Sequence, residues 1–240
     1  MSLLPDAWRW PATCELCARW PARPVCDGCR QDWGQIQRRC PGCALALAPG
    51  LERCNRCTQE GPGVLHRCLA RVDYAYPWTG LVQRFKFQQE PAWARHLAEL
   101  MREDPDVTEA LRTADLLVPI PLPTPRLLER GYNQAWELLR QLRRQTPGSA
   151  PAQAQLLQRS VGGAAIHTLP RAQRIDAAQQ AFTADPRFTG GLAGAQVLLV
   201  DDVMTTGATL QAAAQVLRAA GAAWVSGLVF ARTPAPDRVE

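Results

Sequence analysis

Hydrophobic and polar positions divide the chain into two parts of different character. Up to about residue 60, apolar residues stand singly among Pro, Gly, Arg and Cys; beyond it they come in runs or at helical spacing. "ARVDYAY" (70–76) alternates apolar and polar positions and predicts a strand. "TGLVQRFKFQQEPAWARHLAELM" (79–101) predicts a helix from about Gly80, interrupted near Pro91 and resumed to Met101. "DLLVPIPL" (115–122) is an unbroken apolar run ending in prolines, which suits a strand buried on both faces. After "LERGYNQ" a helix is expected over 135–144, and 147–153 is a proline-rich break. A second unbroken run at 197–200 precedes an alanine-rich helix over 208–220 that stops at Gly221. Buried strands alternating with helices predict an α/β fold built on a parallel sheet.

The run at 197–200 opens "VLLVDDVMTTGATL". In a strand–loop–helix unit the loop lies at the carboxyl end of the strand, and the following helix aims its free N–H groups at it. Thr205, Thr206, Gly207, Ala208 and Thr209 offer backbone donors, hydroxyls and one flexible residue, so the loop reads as a phosphate cradle. It is not a P-loop, which would need a glycine-rich run ending in Gly-Lys-Ser/Thr. Asp201 and Asp202 would repel a bare phosphate, but they suit ribose hydroxyls or a bound Mg²⁺ on the same ligand. A phosphoribosyl group carries both chemistries. At the end of the other buried strand, Arg126, Arg130 and Asn133 stand where a pyrophosphate would sit, and arginine forks match phosphate oxygens; a solvated basic loop is the alternative reading.

Length and composition set the bounds. With 240 residues, 47% hydrophobic and 20% charged, the chain is globular and long enough for one substantial core plus a small module. The N-terminal stretch is too poor in apolar residues, and too broken by prolines and charges, to read as a signal peptide or a membrane span, so a cytoplasmic protein is expected. The formal net charge of +5 is modest for this length, and it comes with no dense basic block to suggest nucleic acid. Among the basic residues only Lys86 is a lysine.

The polar N-terminal part carries four Cys-x-x-Cys pairs: Cys14 with Cys17, Cys26 with Cys29, Cys40 with Cys43, and Cys54 with Cys57. In a cytosolic chain this spacing points to metal, because both sulfurs of a pair reach one tetrahedral ion. Eight thiolates make two structural Zn(Cys)₄ sites. Consecutive pairing gives two ribbons in tandem and interleaved pairing a cross-brace; the tandem form closes the shorter loops and is expected. A module over 11–60 has too little apolar area to fold alone, and structural zinc contributes about 10–16 kcal/mol per site. Cys68 has no pair and is expected as a packed thiol. Trp8, Trp10, Trp20 and Trp33 lie in or beside this module with several arginines, an arrangement that single strands use for stacking. Burial in a small core is the commoner fate of such residues and is the expectation here. The arginines do not make the module basic, since each Zn(Cys)₄ centre carries a net charge of −2.

The string at 197–210 resembles the signature of type I phosphoribosyltransferases. That resemblance implies that Thr205 to Thr209 hold the 5-phosphate of phosphoribosyl pyrophosphate (PRPP), while Asp201 and Asp202 address the ribose hydroxyls near Mg²⁺. The wider order of motifs runs from the multi-Cys-x-x-Cys start through "RFKF", "VPIPL…RGYNQA", "LPRAQR…AF" and "VLLVDDVMTTGAT" to the terminal "VFAR". Together they resemble the ComF family of competence proteins from about Cys14 to Arg232. The family implies a double zinc ribbon, here 11–60, fused to a phosphoribosyltransferase-like domain, here 68–233. It implies work in natural transformation or DNA utilisation on incoming single-stranded DNA at the inner membrane. Lys86, Arg130, Gly131, Asn133 and Gln134 match family strings, and Arg174 and Phe182 match the middle segment. Ile166, Pro170 and Ala177 depart from it.

Three functions follow from these readings. The chain is an accessory protein whose PRPP or ribose-5-phosphate pocket assists the handling of single-stranded DNA, or a phosphoribosyltransferase acting on an acceptor, or an adaptor whose ribbons dock a competence helicase or translocation channel. The first and third place a cytoplasmic protein at the inner membrane through its partners.

Overall fold

The computed structural model describes residues 12–61, 63–159 and 181–235. The chain forms two compact units, Met1–Gln35 and Ile36–Glu240. The division falls inside the 11–60 module that the sequence suggests, so the two cysteine clusters belong to different units.

In the smaller unit an antiparallel bridge between Ala12 and Ala22 precedes helix α1 (Asp27–Trp33). The Cys26 sulfur caps α1 by accepting from the Cys29 N–H. The buried side chains are Val25 and three cysteines, Cys14, Cys26 and Cys29. Trp20 and Trp33 are 62% and 50% exposed, against the expectation of burial, because the sulfurs fill the centre of this unit. Trp8 and Trp10 lie outside the described residues.

The larger unit begins with a short helix α2 (Asn55–Gln59) inside the second cysteine cluster. Four strands then build its sheet: β1 (Cys68–Asp73), β2 (Leu116–Pro119), β5 (Gln196–Met204) and β6 (Trp224–Arg232). Their order is β1-β6-β5-β2 and every pairing is parallel, as the unbroken apolar runs predict. Helices α3 (Trp78–Phe87), α4 (Trp93–Arg102) and α5 (Pro105–Thr113) connect β1 to β2. Helices α6 (Thr124–Arg130) and α7 (Gln134–Gln145) follow β2. A two-stranded antiparallel ribbon, β3 (Leu157–Arg159) with β4 (Phe182–Ala184), leads to β5, and α8 (Ala208–Ala219) joins β5 to β6.

Side-chain alternation sorts the two faces. Val197, Leu199, Val225, Val229, Cys68 and Ala70 pack with α8, the β3–β4 ribbon and the buried cysteines Cys40 and Cys43. The other face meets α4, α5 and α7, with Trp78 of α3 edge-on to Phe230 at 6.1 Å. Gly227 lets α8 close on the sheet, since a Cβ there would stand 3.2 Å from Leu210 Cδ1. Buried Arg71 on β1 donates to the Leu100 carbonyl near the end of α4 and pairs with Glu103 at 3.0 Å.

Several elements differ from the sequence expectation. The strand read over 70–76 begins two residues earlier and ends at Asp73, where pairing with β6 stops. Helix α5 has its start signal in the sequence, an Asp104 cap followed by Pro105. Helix α6, the β3–β4 ribbon and β6 are short, or lack alternation, and tertiary packing decides them. No described helix is long and apolar enough to cross a membrane.

Candidate functional site

The site forms where β2 and β5 end side by side. Pro119 pairs with Val200, and Ile120 N–H donates to the Val200 carbonyl at 2.9 Å, so the loops after the two strands are neighbours. Asp201 and Asp202 are consecutive strand residues and leave opposite faces of the sheet at this edge. Asp202 is 2% exposed; its Oδ2 lies 3.2 Å from Lys86 Nζ and accepts no hydrogen bond. Tyr132 holds the end of α3 that carries Lys86, its hydroxyl donating to the Phe85 carbonyl. On the other face, the Asp201 carboxylate acts on the Arg159 guanidinium, which stacks 5.0 Å over Phe182.

Burial, and then the adjacent Asp202 charge, push the Asp201 carboxyl well above the usual carboxylate range. Two such acids are stable together only when a cation or hydroxyl donors face them. Lys86 supplies that cation to Asp202, and two carboxylates at one strand end also suit Mg²⁺, which takes one or two protein carboxylates and would complete its shell with water and substrate oxygens.

After Met204 the chain turns through Thr205 and Thr206 to Gly207, which caps α8 with φ +89°. The positive φ favours glycine at this position; a Cβ there would stand 2.5 Å from Met204 Cε, the mobile tip of a side chain that can shift. Thr206 Oγ1 accepts from Ala208 N–H at 3.3 Å. The first turn of α8 thus opens on the same edge as the two acids, the arrangement that receives phosphate.

The residues after β2 divide in role. Asn133 caps α7, accepting from Ala135 and Trp136 N–H, and its amide donates to the Ile120 carbonyl at 3.0 Å. Its polar atoms hold the loop to β2. Arg130 donates to Gln134 Oε1, and its guanidinium lies 5.3 Å over the exposed ring of Phe87. Arg126 lies on exposed α6. Arg174 lies outside the described residues, with Ile166, Pro170 and Ala177. Sequence reasoning passed over three arginines, Arg56, Arg159 and Arg232. The terminal "VFAR" contains Arg232, but only the fold shows where it reaches.

Both cysteine groups are sequential: Cys14, Cys17, Cys26 and Cys29 in one, Cys40, Cys43, Cys54 and Cys57 in the other, all sulfurs of a group within 4.8 Å of one another. Contacts of 3.8, 3.6 and 3.5 Å between Cys14 and Cys29, Cys17 and Cys26, and Cys43 and Cys54 match the edges of a tetrahedron with Zn–S bonds of about 2.3 Å. Backbone N–H groups of Cys26 and Cys54 point at Cys14 and Cys40 sulfurs at 3.4 Å. Against burial, these and other backbone donors hold the Cys14 thiol down to about 6 and the Cys40 thiol to about 7. Burial and the neighbouring sulfurs push Cys29 and Cys57 up, so four thiolates at this spacing need a cation between them. Both groups could hold zinc. Cys68 is a packed thiol: it is buried, donates to the Gly42 carbonyl at 3.4 Å, and burial pushes it up to about 12.

A parallel sheet with paired acids and a threonine loop at its carboxyl edge defines a phosphoribosyltransferase-type domain, and the family model for the phosphoribosyl transferase domain matches residues 138–239. The chain is 32% identical over 230 residues to the DNA utilization protein YhgH of Salmonella typhimurium, covering 93% of this chain and 98% of that one. It is 30% identical over 203 residues to Competence protein F of Haemophilus influenzae, covering 82% and 85%. The chain belongs to this ComF family of competence and DNA utilization proteins. A solved purine phosphoribosyltransferase from Pyrococcus horikoshii Ot3 aligns with a TM-score of 0.32 at 19% identity, over 63% of this chain and 81% of that one.

Proposed function

We propose that the carboxyl edge of the sheet is a phosphoribosyl-binding pocket that takes PRPP with Mg²⁺, or ribose 5-phosphate, and that the protein uses it as an accessory in the handling of single-stranded DNA. The observation that carries the pocket is the joining of Asp201, Asp202 and Lys86 to the Thr205–Thr209 loop at the start of α8. In this reading the N–H groups and hydroxyls of the loop bind the 5-phosphate, and the two acids accept from the ribose hydroxyls. Lys86 balances Asp202 until ligand arrives. Mg²⁺, held on the acid side, would neutralise charge on the pyrophosphate. Arg126 and Arg130 stand on the segment after β2 where that pyrophosphate would extend; Arg174, which the sequence reading adds to them, lies outside the described residues.

The names of the relatives supply the DNA reading, and the smaller unit supports it. Trp20 and Trp33 are exposed in a segment that also carries Arg19, Arg23 and Arg30. Aromatic faces beside guanidinium groups stack unpaired bases without regard to sequence.

Calorimetric titration of the zinc-loaded protein with PRPP and Mg²⁺, beside the Asp201→Asn/Asp202→Asn double variant, tests the pocket. Binding that weakens at least tenfold in the variant supports it; absence of heat at several temperatures from the folded native protein rejects it. Pyrophosphate release on adding a nucleobase would show turnover and move the protein from accessory to enzyme.

A further inference from the structure

Three consecutive carbonyls of the phosphate loop accept from two arginines, one at the end of β6 and one inside the second cysteine cluster, and that of Met204 also accepts from the Thr233 N–H at 3.0 Å. Arg232, at the end of β6, is 4% exposed. Its Nε donates to the Cys43 carbonyl at 2.7 Å, and its Nη1 donates to the carbonyls of Thr205 and Thr233 (2.5 Å), with that of Met204 a longer 3.3 Å away. Arg56, on α2 between Cys54 and Cys57, donates from Nη1 to the Thr206 carbonyl at 3.5 Å. Arg232 thus bridges the Cys43 carbonyl and the loop, and Arg56 reaches the loop from between two cysteines of the cluster.

The geometry of the peptide unit gives these contacts a consequence. In a trans peptide the C=O of one residue and the N–H of the next point in opposite directions within one plane. Fixing the Met204 carbonyl on Thr233 N–H and Arg232, and those of Thr205 and Thr206 on Arg232 and Arg56, puts the N–H groups of Thr205, Thr206 and Gly207 on the opposite sides of their peptide planes. Among the described residues none of these three N–H groups donates to another backbone carbonyl. Successive N–H groups without a backbone acceptor are the material of an anion-binding concavity.

We propose that Arg232 and Arg56 are positioning residues that set the peptide planes of the phosphate loop, and that metal in the Cys40/Cys43/Cys54/Cys57 cluster is required for the loop to bind phosphate. The cluster acts through the Cys43 carbonyl, whose place the metal–sulfur bond of the same residue fixes. The arginines have a second effect: a Zn(Cys)₄ centre has a net charge of −2, and without two cations in front of it that charge would oppose a phosphate. The inference rests on the phosphoribosyl reading for its ligand, but the coupling of cluster to loop can be measured without one.

The test uses the full-length zinc-loaded protein, amide resonances in its ¹⁵N spectrum, and titration with ribose 5-phosphate. Arg232→Gln is expected to lower affinity about tenfold or more, the usual scale for losing an orienting partner behind a binding group. Arg232→Lys should recover part of the loss. Arg56→Ala, at a half-exposed position where folding is not at stake, should lower affinity about two- to threefold, as for one exposed hydrogen bond, and shift the Gly207 amide. Arg140→Gln, which removes an equal charge from an exposed position on α7, should leave affinity as it is. During chelation, the amides of Thr205, Thr206 and Gly207 should move in step with those of residues 40–57 and independently of those of residues 14–29. Loop amides that stay fixed while the second cluster loses its metal, or native affinity in both Arg56→Ala and folded Arg232→Gln, would overturn the proposal. If the native protein binds neither ribose 5-phosphate nor PRPP, the phosphoribosyl reading falls, and the amide movements still decide whether the cluster governs the loop.

Discussion

The two cysteine clusters use the same ligands at nearly the same spacing, yet the chain around them puts them to different structural use. The first, Cys14 to Cys29, is the centre of a small unit in which, among the described residues, Val25 is the one buried aliphatic side chain and Trp20 and Trp33 are exposed. The second, Cys40 to Cys57, adds Cys40, Cys43 and Ala44 to the core that also contains α8 and one face of the sheet. The sulfur chemistry is shared; what differs is the apolar surface each cluster finds. A cluster without such surface depends on its metal for the whole unit, whereas one seated on a sheet shares its stability with the neighbouring fold.

The strongest way to break this comparison is to remove each metal site separately. Cys14→Ser/Cys17→Ser should unfold residues 12–35, because a structural zinc contributes about 10 kcal/mol or more, and the thermal transition of the larger unit should persist. Cys40→Ser/Cys54→Ser should instead lower that transition and abolish ribose 5-phosphate binding. Calorimetric scans and zinc content measure both, and equal effects from the two pairs would remove the distinction.

A smaller effect is expected from the acids, which belong to the larger unit alone. Asp201→Asn/Asp202→Asn should weaken PRPP binding at least tenfold and leave the zinc content at its native value. Smaller again is the contribution of the exposed tryptophans. Trp20→Ala/Trp33→Ala should weaken binding of an oligothymidine by about 1–3 kcal/mol per stacked base, read by anisotropy at fixed salt, and should not alter ribose 5-phosphate affinity. Loss of both affinities together would mean that one unit performs both tasks.

The smallest effect is a pH dependence. Asp201 has a folded-state pKa raised above its unfolded value, so the folded chain holds a proton that the unfolded chain gives up. Its contribution favours the fold at pH below the unfolded pKa, and that advantage is lost as pH rises from there through the folded value. Asp201→Asn should therefore raise the melting temperature of the larger unit at neutral pH by a few degrees, at about 2–4 °C per kcal/mol for a unit of this size, and flatten its fall with pH. Mg²⁺ with PRPP should bind more tightly as pH rises and release a proton on binding. A variant that melts at the native temperature across this range would show that the Asp201 proton is indifferent to folding.

Much of the site is legible in the sequence because its chemistry is local. The run at 197–200, the acids, the threonines and the Gly207 cap lie within one strand–loop–helix unit, so spacing alone places them together. The same holds for the cysteine pairs, whose loops are short enough for consecutive closure. Asn133 was legible as important but not as to its use, since an N-cap and a ligand contact draw on the same polar side chain. Trp20 and Trp33 mislead in the opposite direction: tryptophan is usually well buried, and only the packed sulfurs show that this unit has no room for them.

Residue order alone was enough for the parallel α/β class, the four Cys-x-x-Cys pairs and the acid–threonine loop, because each follows from hydrogen-bonding or ligand geometry among near neighbours, whereas the fold decided that consecutive pairs come together. Tertiary structure alone decided the strand order β1-β6-β5-β2, the pairing of Lys86 with Asp202, and the stacking of Arg159 on Phe182. It also decided the reach of Arg232 to the Cys43 carbonyl, 189 residues away in the chain. Contacts of that kind have no spacing to read. They exist because β6 lies between β1 and β5 and ends beside the second cluster, a position fixed by packing two apolar faces of one sheet at once.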